Sequence, residues 1–280
     1  IYTSENQLNS FGLGAGPFVF SNSDLGRIWN ASFKAQKTFD NGLYTMLSYS
    51  YLNAKDVNSI EAEITSDAFA ANTISGNVNE DVLSYSRYGD THRFIGVVSK
   101  VFKTGTTIST FFEYAQGGRF NYIYGGDING DGSSINDLLY IPTASEVNQM
   151  NFSGAGQAEA FEAFIQQDDY LSENRGSYAE RYGALAPWRG RWDLKVLQDI
   201  KIAAKNTIQL SLDVLNVGNL ISSDWGVVEI PNNQQVLGVT VDDNNVPTYT
   251  FDTGLTETFS SDTSLLSRWQ AQFGVRYIFN

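Results

Sequence analysis

Seven segments of alternating apolar and polar residues recur along this 280-residue chain, and the unequal links between them restrict the fold. Such period-2 alternation predicts β-strands with two chemically different faces. In the last segment, Phe273, Val275 and Tyr277 share one face, and the residues between them are glycine and arginine. The predicted strands are residues 28–39, 43–56, 91–103, 106–119, 191–204, 207–219 and 268–279.

The first six predicted strands form three pairs, each joined by a short turn. These turns are Asp40-Asn41-Gly42, Thr104-Gly105 and Lys205-Asn206. The links after the pairs are about 34, 71 and 47 residues long and comprise 57–90, 120–190 and 221–267. Compact domains rarely contain links beyond about 12–15 residues. Outer-membrane β-barrels, in contrast, alternate tight periplasmic turns with long extracellular loops.

This alternation predicts an all-β protein, a transmembrane antiparallel β-barrel with long extracellular loops. Strands of about 12–14 residues are long enough to cross a bilayer when tilted. If the tight turns are periplasmic, the C-terminus is periplasmic too, and residues 1–27 belong to an extracellular loop. Bacterial single-chain barrels have an even number of strands. We therefore expect residues 1–280 to be the C-terminal seven strands of one larger barrel domain, with further strands before Ile1.

The two faces of the predicted strands fit a barrel wall in a bilayer. Aromatic residues fall near both strand ends, as expected for the two membrane interfaces; they are Trp29, Trp192 and Trp269 on the outer side, and Phe39, Phe102, Tyr277 and Phe279 on the periplasmic side. The opposite faces carry charges that suit a wet lumen, at Lys34, Glu113, Asp193, Lys195, Asp199, Lys201, Asp213 and Arg276. In the strand 91–103 both faces are partly apolar, which leaves its outer face open.

Composition excludes several classes of protein. No run approaches the roughly 18 consecutive apolar residues of a transmembrane helix, and the mean hydropathy is -0.24. The net charge of -13 argues against nucleic acid as a partner, because phosphates require a basic surface. The chain has no cysteine, and its one histidine, His92, is expected at an interface or in the lumen. Without a nucleophile motif, zinc-ligand pair or phosphate loop, we predict no enzymatic activity.

Four stretches resemble a known family of outer-membrane proteins. They are APWRGRWDLK (186–195), LSLDVLNV (210–217), YGGDINGDG with NDLLYIP (124–132 and 136–142), and GVRYIFN (274–280). Together they are similar to the C-terminal part of TonB-dependent receptors of the Oar-like and SusC-like kind, common in Bacteroidetes. One departure is that Asn280 follows Phe279, where many barrels end on an aromatic residue.

The resemblance implies a barrel of about 22 strands filled by an N-terminal plug, and that plug is not within this chain. It also implies TonB-dependent import of an oligosaccharide, peptide or chelate across the bacterial outer membrane. The expected partners are outer-membrane lipid, TonB through an N-terminal part, and a surface lipoprotein lid. Two alternatives remain: a passive porin or surface adhesin on the same scaffold, and a secreted soluble β-protein with a calcium loop, which the loop lengths disfavour.

An acidic motif in the longest link suggests a bound ion. Carboxylates and an amide alternate at Asp127, Asn129 and Asp131, and Gly132 follows, which resembles the start of an EF-hand calcium loop. The Ser133 carbonyl and either Asn136 or Asp137 would complete the oxygen ligands, although Leu138 stands where an EF-hand has glutamate. We therefore expect structural Ca²⁺ and no other cofactor. The alternative is a turn held by its own side-chain hydrogen bonds.

The same link is rich in aromatic residues that suit stacking against a sugar or peptide. The candidate ligand contacts are Tyr122, Tyr124, Tyr182 and Trp188. Phe161, Phe164, Ile165 and Leu171 have roughly helical spacing in an alanine-rich sequence. This pattern predicts a short helix that packs on the loop, with ligand contact as the alternative.

Overall fold

The computed structural model describes residues 21–59, 62–88, 91–203 and 206–279. The protein is mostly β-sheet, with 45% strand and 14% helix, which confirms the prediction of an all-β chain. The predicted turn residue Lys205, the C-terminal Asn280 and most of the predicted loop 1–27 lie outside the described residues. Within the described ranges, no helix has both the length and the apolar character that a bilayer span requires.

The elements follow one another in this chain order. The strands are β1 (Arg27–Thr38), β2 (Leu43–Asp56), β3 (Ser84–Tyr85), β4 (His92–Val101), β5 (Thr106–Ala115), β6 (Arg119–Phe120), β7 (Ile123–Gly125), β8 (Tyr140–Ile141), β9 (Ser177–Tyr178), β10 (Ala184–Leu185), β11 (Arg189–Ala203), β12 (Asn206–Leu215), β13 (Glu229–Pro231), β14 (Gln235–Val241), β15 (Pro247–Thr250), β16 (Phe259–Ser261) and β17 (Gln270–Ile278). The helices are α1 (Thr65–Ala71), α2 (Ala144–Val147), α3 (Gln157–Gln167), α4 (Asp169–Glu173) and α5 (Val217–Ile221), with a 3₁₀ turn at Leu265–Ser267.

Seven long strands form one antiparallel sheet, which we call the wall. Its order is β1-β2-β4-β5-β11-β12-β17, so each long strand pairs with the next one along the chain. The short strand β3 pairs with the end of β2. Strands β1 and β17 form the two edges of the wall and do not pair with each other.

The strands of the wall lie close to the predicted segments, with two clear corrections. The segment 106–119 ends as a strand at Ala115, and 207–219 ends at Leu215. The second strand ends there because Asn216 has φ 53 and precedes helix α5. This left-handed conformation is accessible to asparagine, and the Asn216 amide donates to the Asp193 carboxylate at 2.9 Å.

Two glycines make the tight turns possible. Gly42 and Gly105 both have φ 82. A Cβ atom at Gly42 would lie 2.7 Å from the carbonyl oxygen of Val101, and one at Gly105 would lie 2.8 Å from that of Asp199. Each turn therefore packs its backbone against the neighbouring strand, which only glycine permits.

The register separates the wall into an apolar face and a polar face. Phe273 lies opposite Leu212, and Leu212 lies opposite Val196 in the next strand. Phe273 is 67% exposed, so no described part of the chain covers this part of the apolar face. On the polar face, Lys195 forms an ion pair with Asp213 at 2.8 Å.

The register also assigns the faces of β4, which the sequence left open. Phe94 lies between Tyr49 and Tyr114, on the apolar face. Ile95 lies opposite Glu113, on the polar face. Apolar residues of β4 therefore lie on both faces of the wall, and the cross-strand pairs decide the face of each.

The two longest links fold into a compact unit with its own hydrophobic core, which we call the cap. Helix α3 buries Phe161, Phe164 and Ile165, which confirms a packing helix in this link. Leu171 is a correction to the prediction, because it is buried by the separate helix α4 that begins after Asp168. Strand β14 pairs in parallel with β7, so the link 221–267 is joined to the link 120–190. The core of the cap contains Phe120, Tyr122, Tyr124, Leu139, Ile141, Val147, Phe161, Phe164, Ile165, Leu171, Ala179, Ala184, Val236, Leu237, Val239 and Phe251.

One buried arginine connects the cap to the wall. Arg181 is 4% exposed, and its guanidinium donates to the carbonyl oxygens of Asp56 and Val57. It also donates to Asn72 Oδ1 at 2.9 Å and to the Asp56 carboxylate at 3.2 Å. Because Asp56 is the last residue of β2, this contact holds the cap against the end of the wall.

We expect Arg181→Met to loosen the cap while leaving the wall intact. The substitution leaves the Asp56 and Val57 carbonyls without their donor, and it removes the cation from a mostly buried ion pair. The free energy of unfolding of the cap should fall by about 3 kcal/mol. Limited proteolysis of the purified protein would measure this as faster cleavage in the links. Arg87→Met is the matched control, because Arg87 is exposed; equal cleavage of the two variants would contradict the assigned role.

Candidate functional site

The predicted calcium motif forms a turn between β7 and β8 in the cap. Asp127 Oδ1 accepts the amides of Gly130 at 2.7 Å and Asp131 at 3.2 Å. Its Oδ2 accepts the amide of Gly132 at 2.9 Å. One carboxylate therefore orders three backbone amides, as aspartate does in side-chain-capped turns.

Asn129 and Asp131 extend this pattern. Asn129 Oδ1 accepts the amide of Asp131 at 2.8 Å, and Asp131 Oδ1 accepts the amide of Ser133 at 2.8 Å. Asp131 Oδ2 accepts the side-chain amides of Asn136 at 2.8 Å and Asn129 at 3.2 Å. The turn is thus closed by side chains on both of its sides.

Asp137 is a buried carboxylate at the end of the turn. It is 3% exposed, and its Oδ2 accepts the amide of Ile128 at 2.9 Å. Burial raises the pKa of Asp137 from 3.8 to about 6, with a further rise from the negative charges of Asp131 and Asp127. The Ile128 amide opposes this rise in pKa by donating to the carboxylate.

Contacts with the link 57–90 fix the position of the turn. The Ser133 hydroxyl donates to the carbonyl oxygen of Ala70 in α1 at 2.7 Å. The amide of Ile74 donates to the carbonyl oxygen of Asn136 at 2.8 Å, and the amide of Leu138 donates to that of Ile74 at 3.0 Å. The turn is therefore integrated into the cap and is not a free loop tip.

The five predicted calcium ligands lie in one turn, where the side chain of each accepts a backbone amide. These residues are Asp127, Asn129, Asp131, Ser133 and Asp137. Across the described residues, no group of three or more His, Cys, Asp or Glu side chains converges as a metal site. The hydrogen bonds favour the alternative of a self-capped turn.

Two features of the turn nevertheless suit a cation. Asn136 is fully buried, and its Oδ1 accepts no hydrogen bond. The carboxylates of Asp127 and Asp131 raise the pKa of Asp137, and a cation would relieve that repulsion. Bound calcium therefore stays a prediction.

The predicted aromatic ligand contacts do not share one surface. Tyr122, Tyr124 and Tyr182 are 1%, 3% and 7% exposed, and the first two belong to the core of the cap. Burial raises the pKa of Tyr122 and of Tyr124. Trp188 is 38% exposed, and its ring stacks on Tyr114 at 4.9 Å, beside the wall. Ligand contact by these residues stays a prediction, while the burial of the three tyrosines gives them a packing role.

A buried carboxylate explains the position of Tyr122. Asp168 accepts hydrogen bonds from the Tyr122 hydroxyl at 2.5 Å and from the Thr258 hydroxyl at 2.6 Å. Its other oxygen accepts the amide of Leu171 at 2.8 Å and so caps helix α4. Asp168 therefore joins three segments that are distant in sequence. From the sequence, only its role as the N-cap of α4 could have been predicted, because an aspartate before a helix is a typical cap.

The single histidine lies on the apolar face of the wall. His92 pairs with Tyr51 in the register, and its Nδ1 lies 2.9 Å from the Tyr49 hydroxyl. Its ring also lies 6.0 Å from that of Trp188. His92 therefore lies among aromatic side chains on the apolar face and not on the polar face.

The comparisons with known proteins provide no relative. The chain matches no protein-family model, no curated protein and no solved structure at a significant level. The likeness to TonB-dependent receptors therefore rests on the sequence motifs alone.

Asp137 gives the cap a pH dependence that can be measured. Because its folded-state pKa of about 6 lies above the ordinary 3.8, its contribution to stability is fully present below pH about 4. That contribution is lost as the pH rises through about 6. Asp137→Asn remains neutral and can still accept the Ile128 amide, so it should remove this loss. Thermal unfolding of the two proteins between pH 4 and pH 7 makes the comparison.

Repeating the measurement with calcium tests the predicted ion. Calcium should stabilise the wild-type cap most at the higher pH, where Asp137 is ionised, and should protect residues 125–142 from proteolysis. Asp243→Asn is a control, because that carboxylate is exposed and distant in sequence from the turn. Identical pH profiles for wild type and Asp137→Asn would contradict the assigned pKa, and calcium without effect on either readout would exclude the ion.

Proposed function

We propose that the wall is part of a transmembrane β-barrel in a bacterial outer membrane, and that this barrel imports a ligand in a TonB-dependent process. The observation that carries the proposal is the exposed apolar face of the wall. Phe33, Phe273 and Val275 on this face are 65%, 67% and 66% exposed. Large uncovered apolar surfaces on soluble monomers are rare and indicate a binding or membrane surface.

The location of the hydrophobic core supports this proposal. A soluble β-protein covers the apolar face of its sheet with a second layer. Here the only large cluster of buried apolar residues in the described ranges lies in the cap, away from the middle of the wall. The acyl chains of a bilayer would cover the apolar face of the wall without any change in the conformation of the protein.

The polar face fits the lumen of such a barrel. Charged side chains pair across neighbouring strands, as Lys195 does with Asp213 and as Arg93 does with Glu113 at 2.5 Å. Ser99 and Ser109 share a hydrogen bond of 2.7 Å on the same face. Ion pairs and hydroxyl groups of this kind are stable against water and costly against lipid.

The two ends of the wall differ in the way the orientation requires. The tight turns at Gly42 and Gly105 lie at one end, and the cap lies at the other, where Arg181 contacts the last residue of β2. In outer-membrane barrels the short turns are periplasmic. We therefore assign the cap to the extracellular side and the C-terminus to the periplasm.

Import by TonB is favoured over a passive pore or an adhesin by the sequence motifs at 124–142 and 186–195. The three alternatives differ in their energy requirement, because only TonB-dependent transport stops when the proton-motive force is collapsed. Uptake of a growth-supporting oligosaccharide, peptide or chelate by cells with and without the complete gene would be measured before and after an uncoupler. Uptake that persists after the uncoupler would support a porin, and surface binding without uptake would support an adhesin.

The membrane location predicts opposite tolerances at two neighbouring residues. Phe273 faces the apolar side of the wall, and Gln272 faces the polar side, opposite Asp213. A charge facing the midplane of the bilayer costs about 2–4 kcal/mol. Phe273→Arg should therefore reduce the amount of folded protein in the outer-membrane fraction, and Gln272→Arg should leave it near the wild-type level.

The measurement is the heat-modifiable gel mobility of the protein in isolated outer membranes. Equal tolerance of both substitutions would contradict the assignment of faces. Recovery of the wild type as a folded, monomeric, detergent-free soluble protein would contradict the barrel itself.

A further inference from the structure

The apolar face of the wall has a notch at Gly96. A cavity of about 460 Å³ opens here, and its lining is mostly apolar. Gly96 lies in register between Leu47 and Phe112, which are 55% and 44% exposed. The missing side chain of Gly96 therefore leaves a hollow between two projecting apolar side chains.

Two lysines lie on the same face, close to the tight turns. Lys37 lines the notch, and its Nζ lies 4.8 Å from the centre of the Phe39 ring. Lys100 donates from Nζ to the carbonyl oxygen of Asn41 at 2.6 Å. Both lysine side chains therefore extend toward the turn end of the wall. Lysine adopts this arrangement where its aliphatic part lies on an apolar surface and its ammonium group reaches water.

The spacing of the lysines and the notch suits a single amphiphile. Lys37 is in register with Thr45 and Val98, two residues along the strand from the row of Gly96. Two residues correspond to about 7 Å along a strand, and neighbouring strands lie about 4.8 Å apart. The positive groups therefore lie at one end of the notch, and none of the residues that line it is acidic.

We infer that the notch binds one acyl chain of an anionic glycerophospholipid, whose phosphate lies between Lys37 and Lys100. The inference rests on the proposed function, because only a bilayer brings lipid to this face. Charge complementarity identifies the head group, because two lysines lie at the turn end of a notch whose lining contains no acidic residue. The turn end of the wall identifies the leaflet, which is the periplasmic one in the proposed orientation.

Gly96→Leu tests the acyl-chain part of the site. A Cβ atom at Gly96 would lie 3.7 Å from the Phe112 ring and 4.0 Å from the Met46 carbonyl oxygen, so the larger side chain fits and fills the notch. Lys37→Gln combined with Lys100→Gln tests the phosphate part. The matched controls are Ala271→Leu, an exposed position on the apolar face of β17, and Lys34→Gln on the polar face.

Lipid retention is measured by native mass spectrometry of the complete gene product in mild detergent, with phosphatidylglycerol or phosphatidylcholine added. The wild type and both controls should retain one phosphatidylglycerol more strongly than phosphatidylcholine. Each lysine near an anionic lipid should strengthen binding about fivefold. Loss of both lysines should therefore weaken the binding of phosphatidylglycerol at least tenfold. Gly96→Leu should lose retention of both lipids at this site.

Folding of every variant is checked in parallel by heat-modifiable mobility, which separates this inference from the proposed function. Folded variants that retain phosphatidylglycerol like the wild type would overturn the lipid site and leave the barrel unaffected. Equal retention of the two lipids by the wild type, or competition by inorganic phosphate alone, would also overturn it. If Gly96→Leu fails to fold, the double lysine variant carries the test. A wild type that never enters membranes would overturn the proposed function as well.

Discussion

The separation of apolar and polar side chains onto the two faces of one sheet is the constraint on which the rest of this structure depends. A sheet stabilised by its own second layer would bury residues such as Phe33 and Phe273, yet here both are more than half exposed. The wall is therefore held together by its backbone hydrogen bonds and cross-strand pairs, while an apolar surface remains for another medium to cover. This arrangement makes register unusually important, because a shift of one residue would place Lys195 and Asp213 on the apolar face.

The cap follows from the same constraint. Links of this length cannot draw on a core beneath the wall, so they need apolar contacts of their own, which α3, β7 and β14 provide. Buried polar groups then fix how the links meet. Asp168 satisfies three donors, and Arg181 reaches the carbonyl oxygens at the end of β2. Since an unpaired buried charge is costly, these two residues make alternative arrangements of the links unfavourable. Arg181 also fixes where the cap lies relative to the end of β2.

Local rules predicted the wall well because its determinants are local. Alternation defined β2, and Gly42 marked its turn, since both signals occupy neighbouring residues. The end of β12 was misplaced because the left-handed conformation of Asn216 depends on Asp193, which is distant in sequence. The tertiary arrangement of the cap was beyond such rules, because its parallel pairing joins β7 to β14 across more than a hundred residues. Aromatic content alone could not distinguish the buried Tyr122 from a ligand contact, since burial is decided by those distant pairings.

The distribution of charge shows why the total of -13 is a poor guide to any single surface. Residues 116–188 contain ten Asp and Glu against three Arg, and residues 216–267 contain seven Asp and Glu without any Lys or Arg. The acid excess therefore lies in the cap, while on the polar face of the wall opposite charges pair across neighbouring strands, Arg93 with Glu113 and Lys195 with Asp213. An unpaired acidic surface produces a field that extends into solvent, whereas paired charges largely cancel beyond a few ångströms. In the proposed orientation a ligand would meet the acidic cap before the wall. The field of the cap would then favour the approach of positive charge, while the polar face of the wall would present ion pairs and hydrogen-bonding groups.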